Sequence, residues 1–171
     1  MLAPDCENIN WVTRSEWNAR EPKQPLTPNI NFKYLVVHHT SNIGTCNSPA
    51  ECKLKARKIQ DLHMDDKGYD DVAYNFFIDP FGSVLVGRGF DVEGGHTYRY
   101  NCDAYGVNFM GYFRNKNPTT IAIEAFNNLA IVSFGLQTLR HLHFHNYQFQ
   151  IIVQKPIACK SAFKIHGTLL F

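Results

Sequence analysis

The stretch Lys33 to Asn42, KYLVVHHTSN, runs an apolar strand directly into two adjacent histidines and a threonine. Successive side chains of a strand alternate between its faces, so His38 and His39 point in opposite directions and only one can look into a given cleft. One imidazole holds no hydrolytic zinc alone, because such a centre takes about three protein ligands plus an open water position. What the chain can do therefore turns on which residues join that histidine.

Outward from this strand, the preceding segment NINWVTRSEWNAREPKQPLTPNINF carries both tryptophans and three prolines and reads as an extended arm that packs by its aromatics. After it, PAECKLKARKIQDLHMDDKG places Cys52, Ala56, Ile59 and His63 at helical spacing, with Pro49 near the start and Gly68 past the end. His63 falls on the buried stripe and reads as a packing residue. DVAYNFFIDPFGSVLVGRG predicts two strands joined by a turn at Asp79-Pro80-Phe81-Gly82. AYGVNFMGYF is a further strand, and NPTTIAIEAFNNLA a helix with Asn117 as N-cap and Pro118 at the first helical position. The fold class is α/β, in the mixed α+β sense: a central mixed sheet flanked by helices, in one domain.

The division drawn along the chain is residues 1–128 as the domain core and 129–171 as a divergent C-terminal tail. After Glu124 the remaining 47 residues hold no Asp or Glu but four Lys or Arg and four His. His141, His143 and His145 would share one face of a strand, a spacing able to bind metal, but between Leu142 and Phe144 they read as an accident of composition. The tail is expected to pack loosely and to be cut first by proteases.

Net charge is +2 with Lys and Arg scattered rather than striped, which argues against a nucleic-acid partner. No apolar run approaches the length of a membrane span, and the opening MLAPDCENINW lacks the charged and apolar regions of a signal peptide. Cys46 and Cys52 flank a short turn before the helix, a spacing that suits a disulfide. Cys6, Cys102 and Cys159 are left over, and five reduced cysteines in a cytosolic protein stay an open alternative.

From Trp11 to about Asn128 the chain resembles the peptidoglycan recognition proteins, relatives of the zinc N-acetylmuramoyl-L-alanine amidases. The resemblance rests on VTRSEWNAREP, YLVVHHTSN, TCNSPAEC, the long run ARKIQDLHMDDKGYDDVAYNFFIDPFGSVLVGRGFDVEGGHTY, and GVNFMGYFRNKNPT, in the family's order. It implies an amidase-like fold with a groove that receives a muropeptide stem, secretion into an extracellular, disulfide-permissive setting, and bacterial peptidoglycan as the partner in innate immune recognition, with other recognition proteins as further partners.

By matched position the resemblance makes His38 the first zinc ligand of an incomplete metal site and Tyr74 a vestigial catalytic tyrosine. The substrate-binding set is His38, Thr40, Tyr74, Arg88, His96 and Thr97, with Tyr100 and Asn101 just beyond the loop added because an aromatic face and a polar amide suit a sugar or peptide stem. The phenol suits hydrogen bonding to a metal-bound water or an oxyanion. Arg88 suits the stem peptide, and His96 and Thr97 lie on a glycine-loosened loop where backbone can approach a ligand. Asp103 stands where relatives selecting diaminopimelate present a basic residue, which favours a lysine-type stem.

The family's two later zinc ligands come from a Gly-His-Arg-Asp strand and a Thr-x-Cys-Pro-Gly loop, and neither string occurs here. The fragments around His166 and Cys159 have the wrong order. The expectation is therefore peptidoglycan binding without hydrolysis and without a cofactor. A zinc amidase cleaving the lactyl–L-alanine amide, and a truncated regulatory isoform, are the alternatives.

Overall fold

The computed structural model describes residues 8–41, 45–134 and 149–152. Strands β1 (Asn10–Val12), β2 (Tyr34–His39), β3 (Phe76–Ile78), β4 (Ser83–Val86), β5 (Ala104–Phe109) and β6 (Phe149–Ile152) form one mixed sheet in the order β1-β4-β3-β5-β2-β6. β2, β5 and β3 run parallel; β3–β4 and β2–β6 are antiparallel, and β1 lies parallel to β4. The predicted α/β class with a central mixed sheet is what the chain adopts.

The segment expected as an extended arm contributes more. Asn10–Val12 becomes a sheet strand, and Ser15–Trp17 a 3-10 turn that buries Trp17 with its indole N–H donating to Val86 O at 2.9 Å. The aromatic packing is as expected. The strand pairing is not, because three residues are too short to show a period-two pattern.

Two helices cover opposite faces. Helix α1 (Pro49–Asp61) starts at Ser48, whose hydroxyl accepts from Glu51 N–H, and continues through a π turn at Leu62–Asp66. Its buried positions include Cys52, Ala56 and Ile59, as the spacing predicts, with Phe77, Leu85 and Trp17 packed in the same cluster. Cys46 and Cys52 are bonded. Closing so short a loop stabilises by about 2 kcal/mol in the chain-entropy account. Cys102 is free and exposed.

Helix α2 (Thr120–Phe134) packs on the other face, where Leu35, Val107, Phe109, Phe126 and Leu129 meet. Its cap is Thr119, not Asn117: the Thr119 hydroxyl accepts from Ala122 N–H at 3.3 Å and its carbonyl from Ile123 N–H at 3.0 Å. Two consecutive threonines after the proline moved the start by two residues. α2 also runs across the division drawn after residue 128, and Leu129, Ala130, Val132 and Phe134 are buried in the core. β6 adds to the outer edge of β2. The histidine trio, Cys6, Cys159, His166 and most of the expected protease-sensitive tail lie outside the described residues.

The hairpin turn forms as predicted. Asp79 accepts from the N–H groups of Phe81 and Ser83 at 2.9 and 2.8 Å, which holds the β3–β4 connection.

Candidate functional site

Strand alternation separates the two histidines as the sequence requires. His39 turns to the α2 face, with ring centroids 5.8 Å from Tyr112 and 6.4 Å from Phe113. His38 turns to the α1 face, where it meets Tyr74 and His96 at 5.2 Å each. Its Nε2 lies 3.2 Å from His96 Nδ1 and 3.2 Å from the Thr97 hydroxyl, which is itself 3.0 Å from His96 Nδ1.

The tautomer of His96 follows from its other nitrogen. Nε2 sits 3.2 Å from the Ala104 carbonyl, which only accepts, so Nε2 carries the proton and Nδ1 offers a lone pair toward His38 and Thr97. Burial is the main cause holding both imidazoles neutral: the His38 pKa falls to about 3, with the neighbouring His96 and His39 adding to the shift, and that of His96 to about 4.

The His96 ring fits only because Gly94 and Gly106 have no side chains. A Cβ on Gly106 would stand 2.2 Å from the ring, and one on Gly94 2.3 Å. Gly106→Ala is therefore expected to expel the ring and cost about 1–3 kcal/mol of stability, the range for overpacking. Thermal unfolding together with imidazole NMR checks this: unchanged His96 resonances in the variant would show that the ring is not clamped there.

The loop carrying His96 is built by its own residues. Asn101 Oδ1 accepts from the N–H groups of both His96 and Thr97, at 2.9 and 2.8 Å, and Tyr100 N–H donates to Thr97 O. Tyr100 stands edge-on to Tyr34 at 6.3 Å and is partly exposed. Arg88 lies under this loop, donating to Val72 O at 2.7 Å and Glu93 O at 2.9 Å, so part of its fork supports backbone. Thr40 stands beyond the end of β2, where its hydroxyl exchanges hydrogen bonds with the backbone of Gly111. Asp103 pairs with Lys33 at 2.8 Å, an exposed contact.

Tyr74 is half-buried between His38 and His63, whose ring centroids lie 5.2 and 5.5 Å away. Desolvation raises its pKa. His63 does more than pack: its Nδ1 accepts from Ala73 N–H at 3.0 Å and so holds the segment that presents Tyr74. Asn75, absent from the predicted set, ties the site together. Its amide donates to Gly89 O and Val92 O at 3.0 and 2.9 Å, and its oxygen accepts from Gly106 N–H at 2.8 Å. A polar residue between aromatics in a strand-like run, Tyr74-Asn75-Phe76, was the available signal.

His38, Tyr74, His96 and Thr97 thus converge, Tyr100, Asn101 and Arg88 frame them, and Thr40 stands apart. Around His38 the donor set is two imidazoles and one hydroxyl. Among the described residues no three His, Cys, Asp or Glu side chains form a group that could hold a metal. These residues do not match a three-ligand zinc centre. A cavity of about 220 Å³ lies elsewhere, lined by Ile78, Asp79, Phe109, Met110, Lys116 and Thr119 among others, and includes none of the predicted site residues.

A mixed sheet with a helix on each face, and an imidazole–phenol cluster over its central strands, is an amidase-like architecture. The sequence pattern of the N-acetylmuramoyl-L-alanine amidase family matches residues 28–155. Mouse peptidoglycan recognition protein 1 is 39% identical over 129 residues, covering 75% of this chain and 69% of the relative. Human peptidoglycan recognition protein 3 is 38% identical over 124 residues, 72% of this chain but 35% of the relative, so the chain spans about a third of that protein's length. The solved structure of human PGRP-IBETAC in complex with glycosamyl muramyl pentapeptide superposes with a TM-score of 0.66 at 36% identity, covering 71% of this chain and 73% of that one. The chain belongs to the peptidoglycan recognition protein family.

Proposed function

We propose that the chain binds the muropeptide stem of bacterial peptidoglycan in innate immune recognition, through the face carrying His38, Tyr74, His96 and Thr97, without cleaving it. The observation that carries this reading is the convergence of those four side chains on one face of the sheet, in a chain whose fold matches a muramyl-peptide complex. Neutral imidazoles, a hydroxyl and a phenol suit amide and sugar groups, which are uncharged and both donate and accept hydrogen bonds.

Hydrolysis by the family's zinc route needs ligands beyond His38, and the strings that carry them are missing from the sequence. We infer no resident cofactor, and action outside the cell, where the Cys46–Cys52 bond would persist. Other recognition proteins are the expected protein partners. Among the described residues no helix is long and apolar enough to cross a membrane.

The test is a pull-down on insoluble lysine-type and diaminopimelate-type peptidoglycans, with zinc measured in the same preparation. Binding should occur with little zinc and no released muropeptide, His96→Ala should weaken it, and His38→Ala should alter it only modestly. Failure to bind either peptidoglycan would sink the reading. Near-stoichiometric zinc that is lost on His38→Ala, together with amidase activity, would make the protein an enzyme instead.

A further inference from the structure

The loop beside the site ends in a tight turn. Tyr100 N–H donates to Thr97 O at 3.0 Å, which closes the stretch Thr97-Tyr98-Arg99-Tyr100, and Asn101 Oδ1 fixes its start by accepting from Thr97 N–H at 2.8 Å. Arg99 occupies the third position with φ +70°, a left-handed backbone that ordinarily brings glycine or asparagine to that place in a turn. A long side chain there is a cost to the fold.

Nothing in the fold offsets it. Arg99 is exposed, and its guanidinium lies over the Tyr98 ring, 5.5 Å from the centroid, rather than against a carboxylate. Asp103, the acidic residue closest in sequence, is paired with Lys33 at 2.8 Å. Tyr98 is itself 84% exposed, so the two side chains stand in solvent and leave the core untouched.

The stacking determines which part of the guanidinium stays available. The ring takes its face, while the N–H donors lie in its plane and point outward, in the fork that matches the two oxygens of a carboxylate. Arg99 is two positions past Thr97, whose hydroxyl belongs to the His38–His96 cluster, so the two Cα atoms lie at most about 7 Å apart. A ligand crossing the cluster therefore comes within reach of the fork. A neutral sugar or amide forms no such charged pair, which makes a carboxylate the group this turn can tell apart.

We propose that Arg99, oriented by Tyr98, is a specificity-determining residue that binds a free carboxylate of the stem peptide and so discriminates it from the amidated form. This rests on the reading of the face as a muropeptide site. It accounts for a long, charged side chain at a position that glycine would fill with less strain.

The experiment sets wild type, Arg99→Gly, Arg99→Lys and Tyr98→Ala against a soluble muramyl pentapeptide with free carboxylates and against the same peptide with every carboxylate converted to carboxamide. Melting temperatures are measured alongside. Wild type should prefer the acidic peptide about two- to fivefold, the worth of an exposed ion pair, and the preference should shrink as salt rises. Arg99→Gly should bind both peptides alike, keep the wild-type affinity for the amidated one, and melt no lower than wild type. Arg99→Lys retains the charge without the fork, and Tyr98→Ala the fork without its orientation, so each should keep only part of the preference. A preference that survives intact in Arg99→Gly, or a wild type that binds both peptides equally, would overturn the proposal and leave the binding reading standing. A clear fall in the melting temperature of Arg99→Gly would assign Arg99 to the fold and overturn it as well. Binding of neither peptide by wild type would remove the binding reading and this proposal with it.

Discussion

Lowering the pH from 7 to 4.5 is expected to remove about 5 kcal/mol of folding stability, at least about a third of what an ordinary domain possesses. The cause is three imidazoles kept neutral by burial. The pKa of His63 and of His96 falls to about 4, and that of His38 to about 3, from an ordinary 6.5. A group whose folded pKa is depressed contributes stability that is fully present above its unfolded pKa and is lost as pH falls toward the folded value. Here the window runs from about 6.5 downward. Two units below 6.5, one such histidine has lost about 2.7 kcal/mol. His38 and His96 share hydrogen bonds and titrate as a pair, so they count once and His63 once. Urea unfolding at pH 7 and 4.5 measures the difference, and His63→Gln should remove about half of it. A loss under about 1 kcal/mol would show that the imidazoles are not held neutral.

The histidines also mark how far the sequence could be read. Strand alternation is a local property, so the opposite orientations of His38 and His39 were legible from KYLVVHHTSN. So were the α1 stripe, the β3–β4 turn and the disulfide, because caps, turns and short loops involve residues near in sequence. The cap of α2 was misplaced because threonine competes with asparagine for that role and the sequence holds both. The resemblance brought His96 and Thr97 into the candidate set, but not the reason they sit still. Nothing in GGHTY announces that the ring lies over Gly106 or that Ala104 fixes its tautomer. Gln60, Asp71, Asn75 and Asn108 are buried polar residues, and the side-chain partners of the first three, the Val72 N–H on Asp71 apart, lie 11 or more residues away. Pattern reading assigns polar residues to the surface by default, and of these exceptions Asn75 ties the site together while Gln60 and Asp71 support it from beneath.

Asp71 is the exception with the largest expected cost. It is wholly buried, and its Oδ1 accepts from Gln60 Nε2 at 2.6 Å and from its neighbour Val72 N–H at 2.7 Å. Arg14 Nη2 also donates to Oδ1 at 3.3 Å, while Oδ2 faces Arg14 Nη1 at 2.9 Å, an ion-pair contact without hydrogen-bond alignment. Arg14 in turn donates to the carbonyls of Gly87 and Arg20, so one carboxylate joins the N-terminal segment, α1 and the end of β4. Asp71→Ala leaves the Val72 N–H without its acceptor and the Arg14 charge without its partner. Breaking a buried pair costs about 3–5 kcal/mol, and the side chain of Arg14, 26% exposed, recovers some hydration, which places the expected loss near 3 kcal/mol. For a chain of this size that lowers the melting temperature by about 6–12 °C. Asp71→Asn keeps an oxygen for Val72 and gives up only the charge, so its loss should be roughly half as large. Calorimetry on the three proteins at pH 7 separates the terms. Equal melting temperatures for wild type and Asp71→Ala would mean that the Arg14–Asp71–Gln60 network contributes nothing net. A loss for Asp71→Asn as large as for Asp71→Ala would instead assign the whole effect to the charge.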